Sequence, residues 1–216
     1  MKSCLIITGG TLDLDFAGSF LKKISFDAVI AVDAGLEHVK SLGLTPTKVV
    51  GDFDTVRPDI LEEFQAVKGI TWDIHKPEKD ETDTELAIWL AMEIGCSDLT
   101  ILGATGGRFD HALGNVHLLK QCLDRGIFAS IIDRKNKIYL LKEGKTFQKD
   151  RVFGRYISFL PLTERVTGIT LTGFKYPLSG KTIEIGTSLC ISNEMTEEES
   201  RITFQQGILI CVESHD

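Results

Sequence analysis

Two aspartates separated by one aromatic, Asp52-Phe53-Asp54, follow the β-branched run Thr47-Lys48-Val49-Val50 and a glycine. The run has strand character, so the acids fall where a buried strand ends and a loop begins. In extended backbone, residues two apart project to one side, which would set the carboxylates together and turn Phe53 into packing. Carboxylates so placed repel unless a cation stands between them, and an oxygen-ligated divalent ion beside a phosphate is the usual resolution. The plainer explanation is a turn in which Asp54 caps a helix over 57–64, but it leaves Asp52 without a task.

A second acidic stretch, Asp80-Glu81-Thr82-Asp83-Thr84-Glu85, has the form of a helix start. Thr82 and Glu85 fit a capping box, and acids suit the positive end of the helix. Its place in the chain also allows Asp80 and Asp83 to reach the ion of Asp52 and Asp54. A third stretch, Gly103-Ala104-Thr105-Gly106-Gly107-Arg108, has the design of a phosphate cradle: glycines admit close backbone approach and the next helix offers its amino end. Arg108 can fork onto phosphate oxygens as a lysine cannot. The alternative is a plain loop with Asp110 as the helix cap. Asp110 and His111 in the first helical turn suit positioning of a nucleotide or phosphate better than acid–base work. His75, Lys76 and Lys79 fit either phosphate contacts or a solvated loop, and Glu197-Glu198-Glu199 reads as a solvated turn.

These residues need a scaffold that brings them together. Apolar runs over 4–8, 28–32, 48–51, 71–74, 99–102 and 129–132 have strand length, and most are separated by stretches of helical period. Ala87, Ile88, Ala91 and Ile94 form one amphipathic face; Leu113, Val116, Leu119, Cys122 and Leu123 form another. Strands alternating with helices imply an α/β fold: a parallel-sheet, Rossmann-like amino-terminal domain with helices on both faces. Ligands bind such sheets at the carboxyl ends of the strands, where this chain places Thr8-Gly9-Gly10, Asp33-Ala34-Gly35 and the three stretches above. Beyond the polar segment 133–137, short β-type runs at 138–141, 156–160, 168–171, 189–192 and 208–212 alternate with Gly, Pro and Lys, so a carboxyl-terminal all-β sandwich domain is expected. The expected domains are 1–135 and 136–216.

The totals narrow the function. A chain of 216 residues with 43% hydrophobic and 25% charged content can bury a substantial core. A net charge of −7 and a pI near 5.3 argue against nucleic acid as the main partner. The amino terminus lacks a signal-peptide core, and no run approaches a membrane span. Cys4, Cys96, Cys122, Cys190 and Cys211 show no metal-ligand spacing, so buried, reduced thiols and a cytoplasmic location are expected.

In this order, Gly51-Asp52-Phe53-Asp54-Thr55, Asp80-Glu81-Thr82-Asp83 and the stretch from Gly103 through Arg108-Phe109-Asp110-His111 resemble the thiamine pyrophosphokinase family. Leu171-Thr172-Gly173-Phe174-Lys175-Tyr176-Pro177-Leu178 and Ser188-Leu189-Cys190-Ile191-Ser192-Asn193-Glu194 agree with it. The resemblance implies an α/β nucleotide domain, a β-sandwich that helps bind thiamine, and a homodimer with active sites between subunits. It implies transfer of the diphosphoryl group of ATP to thiamine, giving thiamine diphosphate and AMP, with Mg²⁺. Carried onto this chain, the metal and catalytic acids are Asp52, Asp54, Asp80 and Asp83, one of which takes the thiamine hydroxyl proton. Asp33, Gly35, Gly106, Gly107, Arg108, Asp110 and His111 are expected on the nucleotide, and Ser192 and Asn193 on thiamine. Thr55 stands where Ser is common and Phe174 where Leu is common. Both tryptophans, Trp72 and Trp89, fall in the first domain, which leaves the aromatic partner of thiamine unassigned. The competing readings are a Mg²⁺-dependent nucleotide phosphohydrolase and a non-catalytic nucleotide-sensing module.

Overall fold

The computed structural model describes residues 2–75 and 80–216. The chain divides into two compact units, Met1–Arg134 and Lys135–Asp216. The first alternates strands and helices: β1 (Ser3–Ile7), α1 (Leu14–Leu21), β2 (Ala28–Val32), α2 (Gly35–Ser41), β3 (Lys48–Gly51), α3 (Pro58–Gln65), β4 (Thr71–Ile74), α4 (Asp83–Glu93), β5 (Asp98–Leu102), α5 (Phe109–Asp124) and β6 (Phe128–Ile132).

These strands lie in the order β6-β5-β1-β2-β3-β4, each paired parallel to its neighbour. The central strands are unbroken apolar runs because helices cover them: Leu5, Ile6, Ile7, Ile30 and Ile101 have no exposed surface. At the margin, β4 leaves Ile74 66% exposed, as an edge strand can. The chain builds outward from β1 to β4 and then returns to the other side of β1 with β5. The order therefore reverses between β1 and β5, and such a reversal opens a crevice at the strands' carboxyl ends.

The helix starts explain part of the acidic pattern. The Thr82 side chain accepts from the Glu85 N–H at 3.3 Å and caps α4, whose Ala87, Ile88 and Ala91 are buried. Helix α3 begins instead at Arg57 with no side-chain cap and Pro58 in its first turn. Asp54 is thus not the cap of that helix, because proline's missing N–H and fixed φ already suit the start. Helix α5 buries Leu119 and Cys122 but leaves Leu113 45% exposed, so only its carboxyl-terminal half follows the expected apolar face.

The second unit is antiparallel throughout: β7 (Asn136–Leu141), β8 (Lys145–Gln148), β9 (Tyr156–Pro161), β10 (Arg165–Thr172), β11 (Leu178–Glu184), β12 (Asn193–Glu194), β13 (Glu199–Thr203) and β14 (Leu209–Ser214). One sheet runs β12-β9-β14-β7 and the other β11-β10-β13-β8. Their inner faces meet in a core where Phe147, Phe159 and Phe174 pack edge to face with centroids 5.9–6.0 Å apart. Glu213 is buried at 4% exposure, yet it accepts from the Tyr139 hydroxyl and the Phe153 N–H, each at 2.6 Å. The expected strand over 189–192 is absent. Leu189 and Ile191 are 55% and 47% exposed while Cys190 between them is buried, so the run is a turn with one anchoring thiol. All five cysteines are free and buried. No described helix is long and apolar enough to cross a membrane.

Candidate active site

The crevice at the strand reversal is a cavity of about 650 Å³. Its wall is built from the loops after β1 (8–11), β2 (32–34) and β5 (103–108), together with Thr55, the start of α4, and His111 and Asn115 of α5. The loops after β1 and β5 meet backbone to backbone. A side chain on Gly10 would put its Cβ 2.2 Å from the Gly103 carbonyl oxygen, and one on Gly103, whose φ is +73°, would stand 2.5 Å from the Thr8 carbonyl oxygen. Glycine at both places is what lets the two turns close one wall. Gly35 is used in packing, since a Cβ there would lie 2.2 Å from the Ile7 carbonyl oxygen.

Beside the cavity, carboxylate oxygens of Asp33, Asp52 and Asp54 lie within 4.8 Å of one another. Parallel pairing of β2 with β3 makes this cluster: the Asp33 N–H donates to the Val50 carbonyl at 2.8 Å, carrying Asp33 to the level of the Asp52 turn. Asp33 and Phe53 hold left-handed backbone, φ 48° and 61°, which is uncommon for residues other than glycine. The extended backbone expected at Asp52-Phe53-Asp54 is therefore a turn, with the Asp54 N–H donating to Asp52 Oδ1 at 3.3 Å. Phe53 is buried as expected, edge-on to Trp72 at 5.4 Å.

Thr55 ties the cluster to the crevice, donating its hydroxyl to Asp33 Oδ2 at 2.9 Å, while Asp33 Oδ1 is buried with no hydrogen-bond partner. The carboxyl of Asp54 is pushed above the usual range, first by a shared hydrogen bond and charge repulsion with Asp52, then by desolvation and by Asp33 and Asp83. Crowded hard oxygen donors and an orphaned carboxylate oxygen fit a divalent cation of the Mg²⁺ type. The cluster differs from the expected set: Asp33 takes the third place, Asp83 lines the crevice from the first turn of α4, and Asp80 is in neither. Sequence adjacency could not reveal this, because Asp33 arrives by strand pairing. His75 Nε2 lies 3.0 Å from Asp73 Oδ1, and Lys76 and Lys79 lie outside the described residues.

On the opposite wall Gly106, Gly107, Arg108 and His111 line the cavity. Arg108 forks onto Asp110, with Nε–Oδ1 3.2 Å and Nη2–Oδ2 2.6 Å, and this pair holds the Asp110 carboxyl down at about 2. Both side chains are well exposed, so the pair is a weak, solvent-screened contact that an incoming phosphate can displace. Arg108 itself occupies the cap position of α5, so Asp110 does not cap it. Asp110 faces a neighbouring cavity of about 380 Å³ between α4 and α5, which shares Thr82, Thr84, His111 and Asn115 with the first.

The glycine turns are braced from outside. Asn115 Nδ2 donates to the Ala104 carbonyl at 3.0 Å, Thr105 donates its hydroxyl to Asp133 at 2.7 Å, and His38 Nε2 lies 2.9 Å from the Gly10 carbonyl. Asn115 and His38 have no place in the sequence-based site, and Thr55 enters it only as the last residue of the Asp52 motif. Asn115 sits one helical turn after His111 on the same face, a signal that was available. His38 had none.

In the second unit, Asn193 is buried and its amide is spent on backbone. Oδ1 accepts from the Tyr176 and Glu194 N–H groups, each at 3.0 Å, and Nδ2 donates to the Tyr176 carbonyl at 2.9 Å. Ser192 has φ 57° and an exposed side chain, its N–H bound to the Ser158 hydroxyl at 2.9 Å. Asn193 thereby presents Tyr176, whose side chain is 58% exposed. Next to it Glu194 is paired with Lys175 at 2.7 Å and Arg155 at 2.8 Å, which keep its carboxyl below the usual range.

A glycine-walled crevice at the switch point of a parallel sheet, with a cation-ready acid cluster at its side and a β-sandwich in the same chain, defines a nucleotide-using transferase. Residues 22–131 match the family model described as thiamin pyrophosphokinase, catalytic domain, and residues 144–209 match thiamin pyrophosphokinase, vitamin B1 binding domain. The thiamine pyrophosphokinase of Bacillus subtilis (strain 168) is 36% identical over 219 residues, covering 100% of both chains. Its crystal structure superposes with a TM-score of 0.88 over 100% of both chains, at 33% identity. The Geobacillus thermodenitrificans thiamin pyrophosphokinase structure gives 0.85 at 34% identity, covering 99% of this chain and 98% of that one. The chain belongs to the thiamine pyrophosphokinase family.

Proposed function

We propose that this enzyme transfers the diphosphoryl group of ATP to the hydroxyl of thiamine, with the triphosphate in the crevice of residues 1–135 and thiamine bound with help from residues 136–216. The observation that carries the reading is the Thr55–Asp33 bond, which fastens the acid cluster to the edge of the glycine-walled cavity. The hydroxyl oxygen of thiamine bonds to the β-phosphorus as the bond from that phosphorus to the α-phosphate bridging oxygen breaks. AMP leaves with that oxygen, and the hydroxyl proton passes to one carboxylate of the cluster.

Each group has a task in that step. Asp33, Asp52 and Asp54, joined by Asp83 from the crevice wall, would hold Mg²⁺, which when bound neutralises charge on the phosphate chain. Gly106 and Gly107 present backbone to the phosphates, Arg108 exchanges Asp110 for phosphate oxygens, and His111 positions the chain. Gly35 serves the nucleotide only by letting α2 start close against β1. Ser192 offers its hydroxyl to the thiamine ring, and Asn193 acts by holding Tyr176, whose exposed ring gives a cationic heterocycle a face to rest on. A homodimer is part of the proposal.

Incubation with ATP, Mg²⁺ and thiamine tests the reading directly. Accumulation of AMP and thiamine diphosphate is expected. ADP, or phosphate release independent of thiamine, would replace it with ordinary phosphoryl transfer or hydrolysis, and absence of any turnover with retained ATP binding would favour a sensor.

A further inference from the structure

We propose that His38 is a positioning residue for the triphosphate, acting through Gly10; this rests on the nucleotide occupying the crevice as proposed above. His38 lies near the end of α2, partly buried and behind the cavity wall rather than in it. Its Nε2 stands 2.9 Å from the Gly10 carbonyl oxygen. A carbonyl oxygen can only accept, so this nitrogen carries the proton.

The bond matters because of what the peptide plane does. In a planar trans peptide the N–H points opposite to the C=O before it, so holding the Gly10 oxygen on the imidazole also sets the direction of the Thr11 N–H. Thr11 lines the crevice. An anion arriving there meets an N–H dipole, and the oxygen that would repel it is turned away. Freed from His38, the Gly10–Thr11 peptide can rotate, because glycine opposes that rotation less than any other residue.

The effect reaches the second glycine turn. Gly10 abuts the Gly103 carbonyl so closely that even a Cβ would stand 2.2 Å from it, and a Cβ on Gly106 would be 3.1 Å from Thr11 Cβ. A change in the first turn therefore presses on the loop carrying Gly106, Gly107 and Arg108. Asn115 braces that loop from its own side through the Ala104 carbonyl at 3.0 Å, so in each of the two phosphate turns a backbone carbonyl is held by a side-chain donor.

The test compares His38→Ala, His38→Gln and His38→Asn with the unaltered protein. The glutamine Nε2 can reach the place of the imidazole Nε2, and the shorter asparagine amide cannot. The probe is α,β-methylene-ATP, whose bridge cannot be broken in diphosphoryl transfer, titrated calorimetrically with Mg²⁺; steady-state kinetics run alongside. His38→Ala and His38→Asn are expected to weaken analogue binding and raise the KM for ATP about 5- to 10-fold, the range for one lost hydrogen bond. The KM for thiamine and kcat at saturating ATP should stay within about twofold, and His38→Gln should restore analogue binding to within about twofold.

Binding unchanged in His38→Ala, or His38→Gln no better than His38→Asn, would overturn the role. If His38→Ala fails to fold, the Gln and Asn pair still decides. Failure of the unaltered protein to bind the analogue would instead overturn the nucleotide reading on which the role rests.

Discussion

Replacing Asp52 with Asn keeps the shape of the side chain and removes one of three carboxylates gathered within 4.8 Å. The neutral amide still accepts from the Asp54 N–H, a bond of 3.3 Å, so the turn should persist. Two effects should separate cleanly. Without divalent cation, Asp54 loses the neighbour that contributes most to its raised pKa. An acid whose folded pKa exceeds its unfolded value contributes stability below the unfolded pKa and loses it as pH rises through the folded pKa. The unaltered protein should therefore lose some stability between those values in EDTA, and Asp52→Asn should lose less. With Mg²⁺ at ten times its Kd, linkage stabilises the unaltered protein by about 1.4 kcal/mol. At about 2–4 °C per kcal/mol for a chain of this size, Tm should rise by about 3–6 °C. In Asp52→Asn that rise should vanish at the same Mg²⁺ concentration, and AMP formation should fall by at least about 100-fold. Differential scanning fluorimetry with Mg²⁺ or EDTA and an AMP-coupled assay supply both readouts. An undiminished Mg²⁺ shift together with undiminished turnover would refute the cation site.

Arg108→Lys should raise the KM for ATP about 10-fold with a smaller change in kcat, since an ammonium cannot reproduce the fork now made with Asp110; kinetics at varied ATP check this. Gly103→Ala should destabilise by about 1–3 kcal/mol, because φ +73° and a Cβ 2.5 Å from the Thr8 carbonyl oxygen force the two turns apart; urea unfolding measures it. Tyr139→Phe should cost about 1–3 kcal/mol in the second unit by removing a 2.6 Å donor from buried Glu213, and an unchanged midpoint would show that another donor takes its place.

Strands β2, β3 and β4 were legible to the residue because each is a compact β-branched or aromatic run bounded by polar and turn residues. Strands β8, β11 and β13 were not, since their solvent-facing sides leave only one or two buried residues apiece and no apolar run to read. The opposite error arose at 189–192, where an apolar string is a turn with Leu189 and Ile191 in solvent. Periodicity reports a local preference; which face is covered depends on a partner element far along the chain.

The sequence by itself determined the alternation that makes an α/β unit followed by an antiparallel sandwich, the cap at Thr82, and the glycines that admit tight backbone approach. Those are properties of short segments and of single-residue sterics. Only the tertiary structure decided that Asp33, nineteen residues before Asp52, completes the acid cluster, and that His38 and Asn115 brace the two glycine turns. Each of these depends on strand order and register, which bring distant residues to one rim through hydrogen bonds between neighbours in the sheet that no neighbour in the chain records.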